Sequence, residues 1–204
     1  MKKICCAIIF VFASLICVQA QNNCKLKKDQ DSIKVYTCHT DTSQYKSIIA
    51  EFTVNSTLER LISFVLDIPN YTQWQYNTVE AKVIRKISDS EQIYRTVIEA
   101  PWPVTNRDMV VHIRMKYDPE KKSTIITTDS ENGLIAERKE LVRVPSSHAE
   151  WSVKQKNERR LEIKYTMQID PGGSVPAWLV NWVCAQAPYQ SFKKLKARLE
   201  RRSK

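Results

Sequence analysis

The sequence predicts an α+β domain in which a curved antiparallel β-sheet wraps around one long C-terminal α-helix. Between residues 79 and 170, short runs of alternating apolar and polar residues are separated by turn signals about every dozen residues, which is typical of an antiparallel meander. After residue 174 the apolar residues follow helical spacing instead. Because this helix is the only predicted element long enough to cover the apolar face of the sheet, we expect the sheet to close around it.

The composition is that of an ordinary globular chain, because 43% of its 204 residues are hydrophobic and 26% are charged. The chain has 3 glycines, Gly133, Gly172 and Gly173, and therefore lacks the glycine-rich motifs that bind dinucleotides and nucleoside triphosphates. Its 32 Lys and Arg residues outnumber its 22 Asp and Glu residues, but no nucleic-acid recognition motif accompanies the net charge of +10. We expect a monomeric single domain with no cofactor, no metal and no nucleic acid partner.

Residues 1–20 have the layout of a secretory signal peptide. A pair of lysines precedes an apolar run over residues 4–18, and Ala20 supplies a small residue at the expected cleavage site. The run is shorter than the roughly 20 residues of a membrane-spanning helix, although an uncleaved anchor is the alternative. We expect cleavage after Ala20, export to the periplasm of a Gram-negative bacterium, and a single domain over residues 21–204.

Export would permit a disulfide between Cys24 and Cys38. These cysteines flank a segment whose centre, residues 29–32, is rich in turn-forming residues, so a hairpin there would bring them to facing positions. We predict that they are bonded, against the alternative of two free thiols. Together with Cys184 they make three cysteines in the exported chain, which do not predict a zinc site without a matching histidine cluster.

The chain before the meander predicts a strand and a helix. Alternation over residues 48–54 is typical of a half-buried strand. Ser56 and Glu59 then have the spacing of a capping box, and the apolar stripe that follows predicts a helix over residues 58–66.

The strands of the meander are predicted from alternation with a period of two. In the strand over residues 108–118, Met109, Val111 and Ile113 share an apolar face, whereas Val110 belongs to the polar face. The predicted strands cover residues 79–88, 91–100, 108–118, 123–130, 133–144, 149–155 and 161–170.

Three stretches then suggest a family: residues 31–37 (DSIKVYT), 100–108 (APWPVTNRD) and 170–181 (DPGGSVPAWLVN). In this order, between Cys24 and Leu199, they resemble the START domain, the StAR-related lipid-transfer family with the helix-grip fold. The resemblance implies an internal apolar tunnel that holds one lipid or other hydrophobic small molecule. It also implies that the 100–108 loop and the C-terminal helix gate this tunnel.

The resemblance and the alternation together indicate which residues meet the ligand. Trp102 would form the tip of the gate, and Arg107 would supply a buried charge for a lipid headgroup. The alternatives are that Trp102 folds inward and that Arg107 and Asp108 form a structural ion pair, or that Arg107 pairs with Glu99. The expected ligand-binding residues are Trp102, Arg107, Met109, Val111, Ile113, Tyr117, Tyr165, Trp178 and Trp182.

Several aromatic residues are available to surround a choline group, as related domains that bind phosphatidylcholine do. For each of them, ordinary core packing is the alternative. These residues are Trp74, Tyr76, Tyr94, Tyr117 and Tyr165.

The C-terminal residues 193–204 are strongly basic, with Glu200 as their one acidic residue. We expect this tail to adjoin the gate and to attract anionic lipid during transient contact with a membrane surface. The alternative is that this basic run is only a solvent-exposed surface.

The sequence does not predict an enzyme. Its histidines, His39, His112 and His148, are scattered, and the motifs of metal hydrolases and serine hydrolases are missing. The alternatives to a lipid carrier are a cyclase-like enzyme of the same superfamily and a lipid sensor without transfer activity.

Overall fold

The structure is a computed structural model that describes residues 24–40, 43–175 and 177–201. The predicted leader, residues 1–20, lies outside the described residues. The strands are β1 (Cys24–Gln30), β2 (Ile33–Thr40), β3 (Ser43–Val54), β4 (Thr78–Ser88), β5 (Glu91–Ile98), β6 (Arg107–Asp118), β7 (Ser123–Ser130), β8 (Val142–Arg143), β9 (Ser146–Asn157) and β10 (Arg160–Asp170). The helices are α1 (Leu58–Leu66), a 3-10 turn (Ile68–Asn70), α2 (Tyr71–Trp74) and α3 (Ala177–Glu200).

One curved sheet contains all of these strands, in the order β1-β2-β3-β10-β9-β7-β6-β5-β4. Neighbouring strands along this path are antiparallel, and β8 adds a short parallel pairing to β6. The C-terminal half of α3 packs against β2 and β3, where Phe192 stacks on Phe52 with 4.8 Å between ring centroids. Leu195 and Leu199 are buried beside them. The predicted α+β architecture, a sheet wrapped around a C-terminal helix, is confirmed.

The β1–β2 hairpin is held in place at its open end by a disulfide and at its turn by contacts with α3. Cys24 lies opposite Cys38 in the strand register and is bonded to it, which confirms the predicted disulfide. At the turn, the Asp31 carboxylate accepts a hydrogen bond from the Tyr189 hydroxyl at 2.6 Å and pairs with the Lys193 ammonium at 2.8 Å. Since both partners belong to α3, the hairpin is attached to the helix as well as to the sheet.

Helix α1 has the predicted bounds but a different cap. Thr57, not Ser56, is the N-cap, and its side-chain oxygen accepts a hydrogen bond from the Arg60 backbone N–H at 3.3 Å. Ser56 is buried, and its hydroxyl has no hydrogen-bond partner among the described residues. The extended backbone at Thr57 (φ −84°, ψ 159°) makes it the residue directly before the helix, so the cap lies one residue later than predicted.

Residues 133–144 do not form the predicted long strand. Only Val142–Arg143 pairs, with β6, and the rest of this segment is irregular. The Val144 backbone N–H donates to the Asp108 carbonyl at 2.9 Å, and the Arg143 side chain binds the Asp108 carboxylate. These contacts hold the segment against the outer face of β6. Val110, expected on the polar face, is buried.

A buried ion cluster connects this segment to the sheet. Both Asp108 carboxylate oxygens are paired, with Arg143 at 2.9 Å and 3.0 Å and with the Arg95 Nε at 3.0 Å. Arg95 also pairs with Glu80 at 2.9 Å. Burial by itself raises the pKa of Asp108, but the hydrogen bonds and charges of Arg143 and Arg95 together outweigh it, so that pKa lies below its ordinary value.

We predict that Asp108→Asn lowers the free energy of unfolding by about 3–5 kcal/mol at pH 7, because it removes the carboxylate that two buried guanidinium groups share. Arg143 then loses its counter-charge, and Arg95 keeps only Glu80. The pKa of Asp108 is depressed by folding, so its stabilisation is present above pH about 4 and is lost as the pH falls through the folded-state pKa. The difference between the wild type and Asp108→Asn should therefore shrink below pH about 4.

Urea denaturation between pH 3 and pH 7 measures this difference. Asp89→Asn is the control, because Asp89 pairs with Lys86 on the surface and its loss should leave the urea midpoint unchanged. Equal midpoints for the wild type and Asp108→Asn at pH 7 would contradict the prediction.

Candidate functional site

A cavity of about 300 Å³ lies between the sheet and the N-terminal half of α3. Its walls come from the inner faces of β5, β6, β9 and β10, from residues 75–78, and from α3. The sheet supplies alternate residues of each strand, because side chains two positions apart point to the same face. Of the expected ligand-binding residues, the walls contain Arg107, Met109, Val111, Ile113 and Tyr165.

Two other expected residues, Trp102 and Tyr117, do not line the cavity. Trp102 is 91% exposed and lies outside the cavity, on the loop between β5 and β6. Tyr117 is 47% exposed, near the end of β6 and beyond the cavity. The side chains of Trp178 and Trp182 lie outside the described part of the structure. The inward-folded alternative for Trp102 is therefore not observed.

One end of the cavity is a cluster of aromatic rings. Trp151, Tyr165 and Phe192 contact one another edge to face, with centroids 5.1–5.2 Å apart. Trp74 packs on Trp151 at 6.5 Å, and Tyr94 also lines this end. Edge-to-face packing holds the rings in fixed positions, so this end of the wall is preformed.

Two of these rings are not among the nine expected ligand-binding residues, although the apolar stripe of the C-terminal helix, with Phe192 in it, could have lined the tunnel. Trp151 lies on β9, and its position was predictable only as the inward-facing residue of an alternating strand. Phe192 belongs to the apolar stripe of α3, where spacing alone does not distinguish a core residue from a wall residue. Of the proposed choline-cage residues, Trp74, Tyr76, Tyr94 and Tyr165 line the cavity.

The polar atoms at the aromatic end are neutral. Burial raises the pKa values of Tyr71, Tyr94 and Tyr165, and it also raises that of the Cys184 thiol, which lines the cavity from α3. The Tyr71 hydroxyl donates to the Val65 carbonyl at 2.5 Å. Among the described residues, the Tyr165 hydroxyl donates to a weak acceptor, the thioether sulfur of Met167, at 2.9 Å. These groups remain uncharged near pH 7.

Arg107 and Asp108 point to opposite faces of β6, since they are adjacent residues of one strand. Asp108 joins the outer ion cluster, whereas Arg107 lies on the cavity wall and is 8% exposed. Its guanidinium donates to the carbonyls of Thr105, Pro171 (3.5 Å) and Gly172 (3.4 Å). Burial lowers the pKa of the Arg107 guanidinium. Arginine side chains are nevertheless not deprotonated in proteins, so Arg107 keeps its positive charge.

Neither of the ion pairs considered for Arg107 is formed. Its guanidinium makes no salt bridge to Asp108 or to Glu99, and Glu99 is exposed. Asp108 is instead neutralised from the other side of the sheet by Arg95 and Arg143.

The sequence profile of the START domain family matches residues 10–204, which is nearly the whole chain. The chain belongs to the START domain family. An uncharacterized protein of Pseudomonas aeruginosa is 30% identical to this START domain over 179 residues, which are 87% of either chain. Human START domain-containing protein 10 is 27% identical over 123 residues, which are 60% of this chain but 42% of that protein.

The solved structures agree with this assignment. The crystal structure of a STAR-related lipid transfer protein from Xanthomonas axonopodis superposes on this START domain with a TM-score of 0.80 and 25% identity. The superposition covers 88% of this chain and all of that one.

In this START domain most of the basic tail forms the last turns of α3. Helix α3 has 24 residues, or about 36 Å at 1.5 Å per residue, and its first residues are near the cavity. At its other end, Arg60 of α1 donates to the carbonyls of Arg198 and Arg201, and Glu200 accepts from the Asn55 N–H at 3.0 Å. Residues 193–200 of the tail therefore belong to α3 and directly follow Phe192, which lines the cavity. Contact of the tail with a membrane surface stays a prediction.

The described part of this START domain holds no helix long and apolar enough to cross a membrane. Nor do its described His, Cys, Asp and Glu side chains form a group suited to a metal ion.

Gly172 connects the cavity to the start of α3, and its conformation requires glycine. Its φ is +65°, and a Cβ there would lie 3.0 Å from Pro145 Cδ and 3.1 Å from the Arg143 carbonyl oxygen. The Gly172 N–H donates to the Asp170 carboxylate at 2.9 Å, and its carbonyl accepts from Arg107.

We predict that Gly172→Ala destabilises this START domain more than Gly133→Ala does. Both glycines have positive φ values, so each alanine should incur the cost of about 1–2 kcal/mol for a left-handed backbone. A Cβ at Gly133 meets nothing within 4 Å, whereas one at Gly172 also clashes. Thermal unfolding of the two variants gives the comparison, and equal losses would show that the close approach at Gly172 is unimportant.

Proposed function

We propose that this START domain binds a hydrophobic ligand, a lipid, in the cavity between the sheet and α3, and that it sequesters or transfers this ligand. The observation that carries the proposal is the apolar cavity of about 300 Å³ with its aromatic end. Each methylene that leaves water for such a site gains about 0.8 kcal/mol, so the cavity can compete with a membrane for an acyl chain or a ring system. The similar Xanthomonas protein, described as a lipid transfer protein, supports a lipid as the ligand.

The chemistry of the interior supports binding over catalysis. A general base works best with a pKa near the operating pH. The phenols and the thiol on the cavity wall have raised pKa values and stay protonated, and Arg107 stays cationic. A cyclase-like reaction would need a proton acceptor inside the cavity. These buried groups do not supply one, and Glu99, the one carboxylate among the described wall residues, is exposed to solvent.

The proposed setting is the periplasm of a Gram-negative bacterium. A disulfide between Cys24 and Cys38 suits an oxidising compartment. Residues 1–20 have the layout of a cleaved leader, and residues 21–204 would then form the single lipid-binding domain.

The loop over residues 100–108 is proposed as the gate. Ala100, Pro101 and Val104 line the cavity from this loop, while Trp102 projects into solvent. An exposed Trp between two prolines is suited to the headgroup region of a bilayer, where one side of the ring is apolar and the other is wet. One loop therefore covers the cavity and offers a ring for transient membrane contact.

Native mass spectrometry of the exported chain tests the binding proposal. We expect a bound molecule whose mass identifies a lipid, and we expect Met109→Trp to reduce its occupancy by about tenfold or more, because the indole fills the cavity. Met115→Trp is the matched control, since Met115 lies on the same strand and face but outside the cavity. A wild-type protein that carries no lipid and takes none from vesicles would refute the proposal.

Transfer between donor and acceptor vesicles tests the gate. We expect Trp102→Ala to slow the transfer several-fold without changing the amount of bound lipid at equilibrium, because the ring contacts the membrane and not the ligand. Tyr117→Ala, which removes another exposed ring, should transfer at the wild-type rate. If lipid binds but is never moved by the wild type, the protein is a sensor and not a carrier.

A further inference from the structure

Arg107 differs from the other buried arginines of the described chain. Arg95, Arg107 and Arg143 are each at most 9% exposed. Arg95 and Arg143 share the Asp108 carboxylate at 2.9–3.0 Å. Arg107, the one that lines the cavity, meets only main-chain carbonyls within the part of the chain that is described.

These carbonyls compensate the Arg107 charge incompletely. Each carries a partial charge, and two of the three contacts are long, at 3.4 Å and 3.5 Å. Each contact uses a different nitrogen, so Nη1 and Nη2 each keep a second N–H that these bonds do not use. A buried cation with spare donors is costly unless an anion meets it.

The surroundings of Arg107 favour an anion too. Helix α3 begins at Ala177, its first turn has no acidic residue, and Val175 and Leu179 on either side of this start line the cavity. The N-terminal end of a helix carries roughly half a positive charge. Glu99 is the one carboxylate among the described residues of the cavity wall, but it is exposed to solvent and forms no ion pair with Arg107.

We propose that the ligand is an acidic lipid, with a carboxylate or phosphate head paired to Arg107 and an apolar tail that extends toward the aromatic end. This inference rests on the proposed function and adds the chemical class of the ligand. A planar guanidinium binds either kind of head through two parallel N–H donors. The cavity then matches an amphiphile, with charge at one end and neutral rings at the other.

The test compares heads on an identical tail. Binding of dodecanoic acid, dodecyl phosphate and dodecanol to the delipidated full-length exported chain is measured by isothermal titration calorimetry at pH 8, where the acids are ionised. We expect at least one acid to bind about tenfold or more tightly than the alcohol. In Arg107→Gln this preference should fall to within about twofold, while the affinity for dodecanol stays at the wild-type value.

Two further variants distinguish the role of the paired donors from that of the charge, and provide a control. Arg107→Lys keeps the charge but lacks the paired donors, so it should retain only part of the preference. Arg138→Gln removes an arginine from the outer face, where it pairs with Glu80, and should retain the full preference. Dodecanol binding reports whether each variant is folded.

The outcomes separate this inference from the proposed function. If the wild type binds none of the three amphiphiles, the lipid-binding proposal fails. If it binds dodecanol as tightly as both acids, the acidic-head inference is overturned and lipid binding stands. If Arg107→Gln keeps the preference for an acid, Arg107 is not its partner and the inference is again overturned.

Discussion

The structure depends on a packing asymmetry along α3. In the C-terminal half of the helix, Phe192 and Leu199 fill the space above β2 and β3, and the helix and sheet are in contact. In the N-terminal half, Leu179 and Cys184 face the cavity. Pro188 lies between the halves, where it cannot donate a hydrogen bond to the Cys184 carbonyl. One helix therefore closes the core at one end and leaves room for a ligand at the other.

The alternation of β6 then divides two neighbouring charges between two environments. Asp108 points outward and is neutralised by Arg95 and Arg143, which also anchors the irregular segment over the outer face. Arg107 points inward and holds the turn before α3 through the Pro171 and Gly172 carbonyls. Adjacent residues thus have different roles, because side chains alternate along a strand. Asp108 stabilises the outer face through its ion pairs, and Arg107 places a positive charge in the cavity.

Local sequence patterns were sufficient to predict much of this site. The period-two alternation of residues 107–113 brings Arg107, Met109, Val111 and Ile113 to one wall, because strand geometry allows them no other arrangement. Turn residues between Cys24 and Cys38 likewise determine a hairpin in which the two sulfurs face each other. Such inferences need only the geometry of one strand or one turn.

The sequence by itself determined the order of strands and helices, the family resemblance, the disulfide and the inward face of β6. Only the tertiary structure decided that residues 133–144 cover the outer face, that Arg107 has no carboxylate partner in the described chain, and that the end of α3 is bound by Arg60 of α1. Each of these depends on contacts between residues distant in sequence or on the direction of a long helix. Periodicity describes which face a side chain occupies, but it holds no information about what lies opposite that face.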